Sequence, residues 1–485
     1  MNLKTIDTGE YCFNEITFFL NGHKQIARLA PGLSTLNFLN KQLHLYGTKC
    51  SCNEGDCGAC TVVISYPKDG EVLYEAINSC IYPAAKLHGK HLITVEGLGK
   101  PEELHPIQQA LLEHHGTQCG YCTPGFVMSL FAMLATITHP NQENIMAALE
   151  GNLCRCTGYQ SILEAAEELS QQYDPNSIVP SWCRAIEAEL FCFTEEPKFY
   201  KQHSDSQYQV VNYQIPRSSD ELLQMLNDNP NAVIIAGGTD IMVQANISGR
   251  HFETLIDITA IKELKNINLK ADGLHFGACV TYSNVMDSGI VKSDLPELVN
   301  LCRLIASKQI RNFGTIVGNI ANASPIGDSL PLLLVYQARL KLCSLNSERE
   351  IALKNFFISY RKTALQPGEY IKELIIPIPP RDSFIRAIKT AKRKSVDISS
   401  VASAIRIDAQ AQSPKLMAWG GVAATPIISK EFNRLCTNPD RIDWQALANA
   451  IAAEFEPLSD VRGSAKYRKQ MIINHVLQYR EAYHG

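Results

Sequence analysis

Two apolar-rich runs, Ile16 to Leu20 and Gln25 to Leu29, flank Asn21-Gly22. Both turn residues tolerate positive φ, so the pattern predicts a β-hairpin. Pro31-Gly32 breaks the second strand, and Leu36, Leu39 and Leu43 then recur at helical spacing. Thr61 to Ser65 and Val72 to Ala76 read as two further strands around the turn Lys68-Asp69-Gly70. From 101 to 169 the period becomes helical. One helix is predicted from Pro106 to a stop at Gly116, and one along the stripe Phe126, Leu130, Met133 and Leu134, read as helix core. Another runs from the N-cap Asn141 to Gly151, and a last one over Ile162 to Leu169.

Between Gln171 and about Gln207 no period is sustained, and Pro175, Pro180 and Pro197 interrupt the stretch. It reads as an interdomain connector. A helix over Asp220 to Leu226 and a strand over Ala232 to Ile235 follow. Beyond about Pro380 a smaller α+β domain is expected, ending in an amphipathic helix opened by Asp460 to Arg468, with its charges on a solvated face.

At 485 residues the chain exceeds one ordinary core and suggests three or four domains. With 45 basic and 49 acidic residues, a net charge of −4, it lacks the overall basic footprint of a nucleic-acid binder. Small metabolites or a protein partner are the expected ligands. The N-terminus shows no charged-then-apolar signal pattern. The richest apolar stretch, Phe126 to Ala135, is too short for a bilayer, so a cytoplasmic location is expected.

Sixteen cysteines change this picture, because in such a chain they argue for metal ligation over disulfides. Cys52, Cys57 and Cys60, with Cys80 further on, have the C-x4-C-x2-C…C spacing of a plant-type [2Fe–2S] site. Glycines in this loop let backbone N–H groups point at the cluster sulfurs. Cys119 with Cys122 and Cys154 with Cys156 each follow a predicted helix, giving a second four-thiolate pocket. The same ligand type also suits a structural zinc site. Cys12, Cys50, Cys183, Cys192, Cys279, Cys302, Cys343 and Cys436 stand singly and read as packed or surface thiols.

Two further segments are rich in small residues. Ala236-Gly237-Gly238-Thr239-Asp240 follows a strand and could cradle a phosphate through backbone N–H groups, although taken alone a plain tight turn is the better reading. It is not a Rossmann fingerprint, since the G-x-G-x-x-G spacing and a following helix are not evident. Gly314 to Pro325 alternates small, polar and apolar residues and leads to Asp328. Small residues let backbone approach a cofactor, while Thr, Asn and Ser supply neutral hydrogen bonds.

Gly47-Thr48-Lys49, Cys52 to Cys60, Gln118 to Gly125 and Gly151 to Tyr159 resemble the iron–sulfur region of the xanthine dehydrogenase and aldehyde oxidase family. The two small-residue segments resemble its FAD-binding domain, shared with carbon monoxide dehydrogenase flavoproteins. The resemblance implies an α+β multidomain chain. A plant-ferredoxin-like (β-grasp) [2Fe–2S] domain would span 1–98, a helical [2Fe–2S] domain 99–170 and a linker 171–207. An FAD-binding α+β domain over 208–380 and a small α+β flavoprotein C-terminal domain over 381–485 would follow.

It further implies one cluster on Cys52, Cys57, Cys60 and Cys80, the other on Cys119, Cys122, Cys154 and Cys156. Cys50 lies beside the first loop, but the family pattern aligns Cys52 as the ligand. Ala236, Gly237, Gly238, Thr239, Asp240, Ile241, Thr315, Gly318, Asn319, Asn322, Ser324 and Asp328 would line FAD, with Lys389 also reaching it. Ile305 stands where relatives place an aromatic beside the flavin ring.

Iron–sulfur clusters pass single electrons, whereas a flavin can deliver a pair. No segment for a substrate-oxidising cofactor is evident, and in the family a molybdenum cofactor domain fills that role. The expected protein is the electron-transfer subunit of a split, NAD-dependent xanthine or hypoxanthine dehydrogenase. A large molybdenum subunit would be its partner, in a heterotetramer with two copies of each. By the resemblance, electrons run from molybdenum to the Cys119 cluster, the Cys52 cluster, FAD and NAD+. The basic run Lys392-Arg393-Lys394 could attract a dinucleotide phosphate or be a solvated loop. An aldehyde or other N-heterocycle dehydrogenase with the same subunit plan, or a zinc-structured binding protein without redox chemistry, are the alternatives.

Overall fold

The structure, a computed structural model, describes residues 11–202, 210–410, 414–436 and 441–484. Residues 1–10, which enter the signal-pattern reading, and the boundary stretch 203–209 lie outside it, as does the Cys12 side chain. Backbone proximity divides the chain into two units. One comprises 1–215, 238–257 and 307–313, the other 216–237, 258–306 and 314–485.

In the first unit the expected hairpin forms as Tyr11–Leu20 against His23–Leu29. Asn21 and Gly22 take φ of 46° and 86°, the left-handed conformations that a two-residue turn between twisted strands requires. Thr61–Lys68 and Glu71–Asn78 pair around Asp69-Gly70. A strand that the hydrophobic pattern did not reveal, His91–Ile93, joins the halves, parallel to Tyr11–Leu20 and antiparallel to Thr61–Lys68. At three residues it is too short to show a period.

The expected connector is structured. Ser181–Phe191 is a helix burying Cys183, Ile186 and Leu190, and Lys198–Gln202 pairs antiparallel with Tyr11 to Glu15. The prolines explain the misreading, since Pro180 stands at the helix N-cap, where its missing N–H costs nothing.

Four helices follow the sheet where the period changed, Pro106–Glu113, Thr123–Leu134, Gln142–Leu149 and Gln160–Gln172. The second is more than an amphipathic stripe, because every residue from Gly125 to Leu134 is buried. It forms the middle of a core in which Val63, Tyr74 and Ile93 of the sheet meet Ile107, Leu111, Ile162 and Ala165 of the helices. Phe131 stands edge-on to Tyr74 at 6.0 Å between centroids. Burying a side chain of this size contributes roughly 1.5–3 kcal/mol.

The second unit contains a five-stranded antiparallel sheet in the order Ile267–Lys270, Gly273–Gly277, Tyr370–Ile376, Arg339–Cys343 and Glu348–Ala352. A four-stranded antiparallel sheet, Phe384–Thr390, Val401–Ile407, Lys415–Gly420 and Ile427–Ile428, shares a core with helices Trp444–Glu454 and Ala465–His484. That last helix departs from the expected solvated charges. Arg468 and His475 are buried, at 2% and 1% exposure, and both are hydrogen-bonded. Among the described residues no helix is long and apolar enough to cross a membrane.

Candidate redox centres

The first cysteine loop leaves the short helical segment Thr35–Gln42 and enters strand Thr61–Lys68. Cys52 lies on its outer part and Cys60 at its buried end, and Cys80 is brought beside Cys60 by the return strand Glu71–Asn78. The Cys60 and Cys80 sulfurs are 3.3 Å apart. Cys52 and Cys57 form the other pair. The Cys52 thiol is pulled down to about 5, first by a hydrogen bond with Cys57 and further by backbone N–H groups at Glu54, Cys57 and Asp56. The N–H groups of Asp56 and Cys57 lie 3.3 and 3.4 Å from its sulfur. The same pairing and burial push Cys57 up.

The second set is built alike. Cys119 and Cys156 are exposed with their sulfurs 3.7 Å apart, while Cys122 and Cys154 are paired beneath them. Cys154 sulfur accepts from the N–H of Cys156 at 3.4 Å and of Thr157 at 3.5 Å. Tyr159, in the left-handed region at φ 70°, turns its hydroxyl back to accept from Cys154 N–H at 3.0 Å and closes the loop. Burial raises Cys122 to about 12.

Each set can therefore offer two pairs of sulfurs with backbone donors aimed at them. A two-iron cluster takes four cysteine thiolates, and its sulfurs gain from such donors. The residues present fit [2Fe–2S] centres. Cys50 is exposed, and its carbonyl accepts from the Tyr121 hydroxyl. Cys183, Cys279, Cys302, Cys343 and Cys436 are buried and Cys192 is exposed, and none of the six is in a disulfide.

The two sets meet within this unit. Leu153 N–H donates to the carbonyl of Cys57 at 3.0 Å, one residue before Cys154. Gly58, at φ 68°, lies against Gly151, Asn152 and Gly125 so closely that a Cβ there would collide with the Gly151 carbonyl.

The turn Ala236 to Asp240 follows strand Val233–Ile235, as expected. The absence of a following helix is corrected, because Ile241–Ser248 begins at once. Its apolar residues are not confined to one face, so the periodic signal was missing. Gly238 takes φ 86°, and the Asp240 side chain does not cap the helix, accepting instead from Gln244. Asn246, on this helix, donates to the Cys80 carbonyl at 2.9 Å and to the Asn53 carbonyl at 3.2 Å.

The second small-residue segment is also largely helical, at Ile316–Asn322. Thr315 caps it by accepting from Gly318 N–H at 3.0 Å, and Ala323 ends it in the left-handed region. Asn319 accepts from the Ser329 hydroxyl at 2.9 Å, and Ser324 accepts from Ile326 N–H at 3.4 Å. Lys389 donates to Asp328 at 2.7 Å and to the Leu304 carbonyl at 2.9 Å. Ile305, the next residue, is 8% exposed. Glycine turns and neutral hydrogen-bonding side chains at helix starts suit the phosphates and polar edges of a dinucleotide. Sequence reasoning gave Asn152 and Tyr159 no role of their own within the run Gly151 to Tyr159 and missed Asn246 and Gln309, since a lone amide or phenol carries no pattern until its partners are known.

Four regions of the chain match known domain families. Residues 18–85 match a 2Fe-2S iron–sulfur cluster binding domain and 94–167 a [2Fe-2S] binding domain. Residues 206–379 match the FAD binding domain in molybdopterin dehydrogenase, and 386–482 the CO dehydrogenase flavoprotein C-terminal domain. The xanthine dehydrogenase of Drosophila pseudoobscura pseudoobscura is 30% identical over 526 residues, covering 96% of this chain and 39% of that protein. The chain thus spans about two fifths of that relative's length.

A chain of carbon monoxide dehydrogenase from Hydrogenophaga pseudoflava, solved without the Mo-pyranopterin moiety of its molybdenum cofactor, superposes with a TM-score of 0.52 at 27% identity. The match covers 55% of this chain and 94% of that one. Quinoline 2-oxidoreductase from Pseudomonas putida 86 gives 0.51 at 25% identity, covering 56% and 97%. With two [2Fe–2S] domains and an FAD-binding domain in this order, the chain belongs to the xanthine dehydrogenase family.

Proposed function

We propose that this chain is the electron-transfer subunit of a molybdenum-dependent xanthine or hypoxanthine dehydrogenase. Cys52, Cys57, Cys60 and Cys80 hold one [2Fe–2S] cluster, and Cys119, Cys122, Cys154 and Cys156 the other. FAD is held by Ala236 to Ile241 and by Thr315, Gly318, Asn319, Asn322, Ser324, Asp328 and Lys389, with Ile305 near its ring. When bound, the clusters supply one-electron carriage and the flavin the change to a two-electron acceptor. The chain's own residues orient these groups, donate hydrogen bonds to the sulfurs and exclude water from Cys60 and Cys80.

The carrying observation is the opposed pairing of thiols in two loops, with Cys119 and Cys156 at the surface. An exposed edge suits exchange with a partner, here a molybdenum subunit, in an assembly with two copies of each. A split plan is supported by the carbon monoxide dehydrogenase chain, 94% of which is matched by 55% of this one. NAD+ is the terminal acceptor, and the protein works in the cytoplasm, where free thiols persist. The match to quinoline 2-oxidoreductase favours a second reading, an N-heterocycle other than a purine as substrate.

The test purifies the chain alone and with its molybdenum partner. Alone it should reduce an artificial acceptor with NADH and leave xanthine untouched; with the partner it should couple xanthine to NAD+. Xanthine oxidation by the chain alone would overturn the division of labour. Reduction by the partner without reaction with NADH would move the acceptor to oxygen or another protein.

A further inference from the structure

Asn152 lies two residues before Cys154 and is 2% exposed. Its Nδ2 donates to the Gly58 carbonyl at 3.2 Å, just after Cys57 in the other loop. Its Oδ1 accepts from the Ser129 hydroxyl at 2.7 Å and from Gln309 Nε2 at 3.0 Å. Gln309 Nε2 also donates to Ser129 Oγ at 3.0 Å, so three buried side chains form one ring of hydrogen bonds. With Oδ1 taken twice, the Asn152 amide has a single orientation, and its donor end must face the first cysteine loop.

Gln309 itself is fully buried, and its Oε1 has no hydrogen-bond partner. An orphaned buried carbonyl is unfavourable, and a leucine of similar size would avoid it. The glutamine thus does more than fill space. Gly58 and Gly125 lack the side chains that would push the loops apart. The backbone bond from Leu153 to Cys57 runs beside the same contact.

We propose that Asn152 is a positioning residue for electron exchange between the two clusters, setting the spacing of the cysteine loops while Gln309 fixes its amide. The proposal rests on the ligand assignment above. The exchange it serves moves one electron, oxidising one cluster and reducing the other, with no bond or proton transferred. Tunnelling and magnetic coupling both depend steeply on separation, so loosening this ring should alter both without removing a ligand.

The test uses the full chain carrying Asn152→Leu or Gln309→Leu, with iron content, cluster paramagnetic spectra and the rate of equilibration after rapid partial reduction. Wild type should hold about four irons and show two magnetically interacting signals. Asn152→Leu should keep both signals, change their mutual splitting and slow equilibration severalfold, because tunnelling falls off steeply as the loops separate. Unchanged splitting and rate in that variant overturn the proposal. Where Asn152→Leu loses iron, Gln309→Leu decides: slowed equilibration with both clusters present supports the ring, and an unchanged rate overturns it. Stoichiometric zinc in wild type would instead remove the [2Fe–2S] assignment on which the proposal rests.

Discussion

Lys389 donates to Asp328 at 2.7 Å, and the two side chains are only 4% and 12% exposed. Asp328 also accepts from the Ser399 hydroxyl, so its carboxylate joins strand Phe384–Thr390 to the turn before Val401–Ile407. Removing one member of such a pair leaves an uncompensated buried charge, at about 3–5 kcal/mol. Asp328→Ala should therefore lower the urea concentration at which flavin is released, and Lys389→Met in the same chain should restore part of the loss. A double variant showing the full sum of the single losses would mean that the pair is not coupled.

The cysteine pairs predict different fates for neighbouring residues. Cys57→Ser should abolish the signal of the ferredoxin-like cluster and leave the helical-domain cluster detectable, because the second set has its own loop and donors. Cys50→Ser should leave both in place, since its exposed thiol is outside the paired sulfurs. Iron analysis and cluster spectra of the two variants check this. If Cys50→Ser removes the first cluster while Cys52→Ser does not, the ligand register shifts by two residues.

Much of this architecture was legible because its signals are local. Cysteine spacing, the Asn21-Gly22 turn and the helix starts marked by Pro106 and Asn141 each reside in a few consecutive residues. What escaped depends on distant partners. Strand His91–Ile93 is defined by the strands on either side, and helix Ile241–Ser248 lacks an apolar stripe. Arg468 and His475 look like surface residues on a helix until the carbonyls and hydroxyls that bury them are in place. The Asn152 ring joins residues up to 180 apart in sequence.

Arg468 carries the third prediction. Its guanidinium donates to the Gly421 carbonyl at 2.9 Å, to the Ser400 carbonyl and to Asp460 at 2.6 Å. It thereby joins the C-terminal helix to two strand ends and to the turn that precedes the helix. Arg468→Met keeps most of the apolar stem but leaves two carbonyls without this donor, at roughly 1–3 kcal/mol each. Arg468→Lys should recover only part, because one ammonium cannot reproduce the guanidinium fork. Hydrogen exchange along Ala465–His484 should rise in the order wild type, Lys, Met. Equal protection in all three would assign the helix's docking to its apolar face alone.

His475 gives a pH dependence of defined sign. Its ring stacks on Trp419 at 5.9 Å and 16°, with Thr390 Oγ1 2.7 Å from Nε2 and Ser403 Oγ 2.8 Å from Nδ1. The Tyr479 hydroxyl lies 2.7 Å from the same Ser403 oxygen, so the hydrogen-bonding groups around the ring are neutral. Burial holds its pKa down at about 3. In the unfolded chain a histidine titrates near 6.5, so the unfolded state takes up the proton first as pH falls. The stability tied to the neutral ring is fully present above about 6.5 and is lost toward 3, at about 1.4 kcal/mol per pH unit within that window. His475→Gln should be less stable than wild type at pH 8 yet show a shallower acid loss between about pH 6 and 4. Hydrogen exchange of Val401–Ile407 reports this locally, apart from His91, whose pKa burial lowers to about 4 in the other unit. An acid slope that remains unchanged in the variant would show that another group governs it.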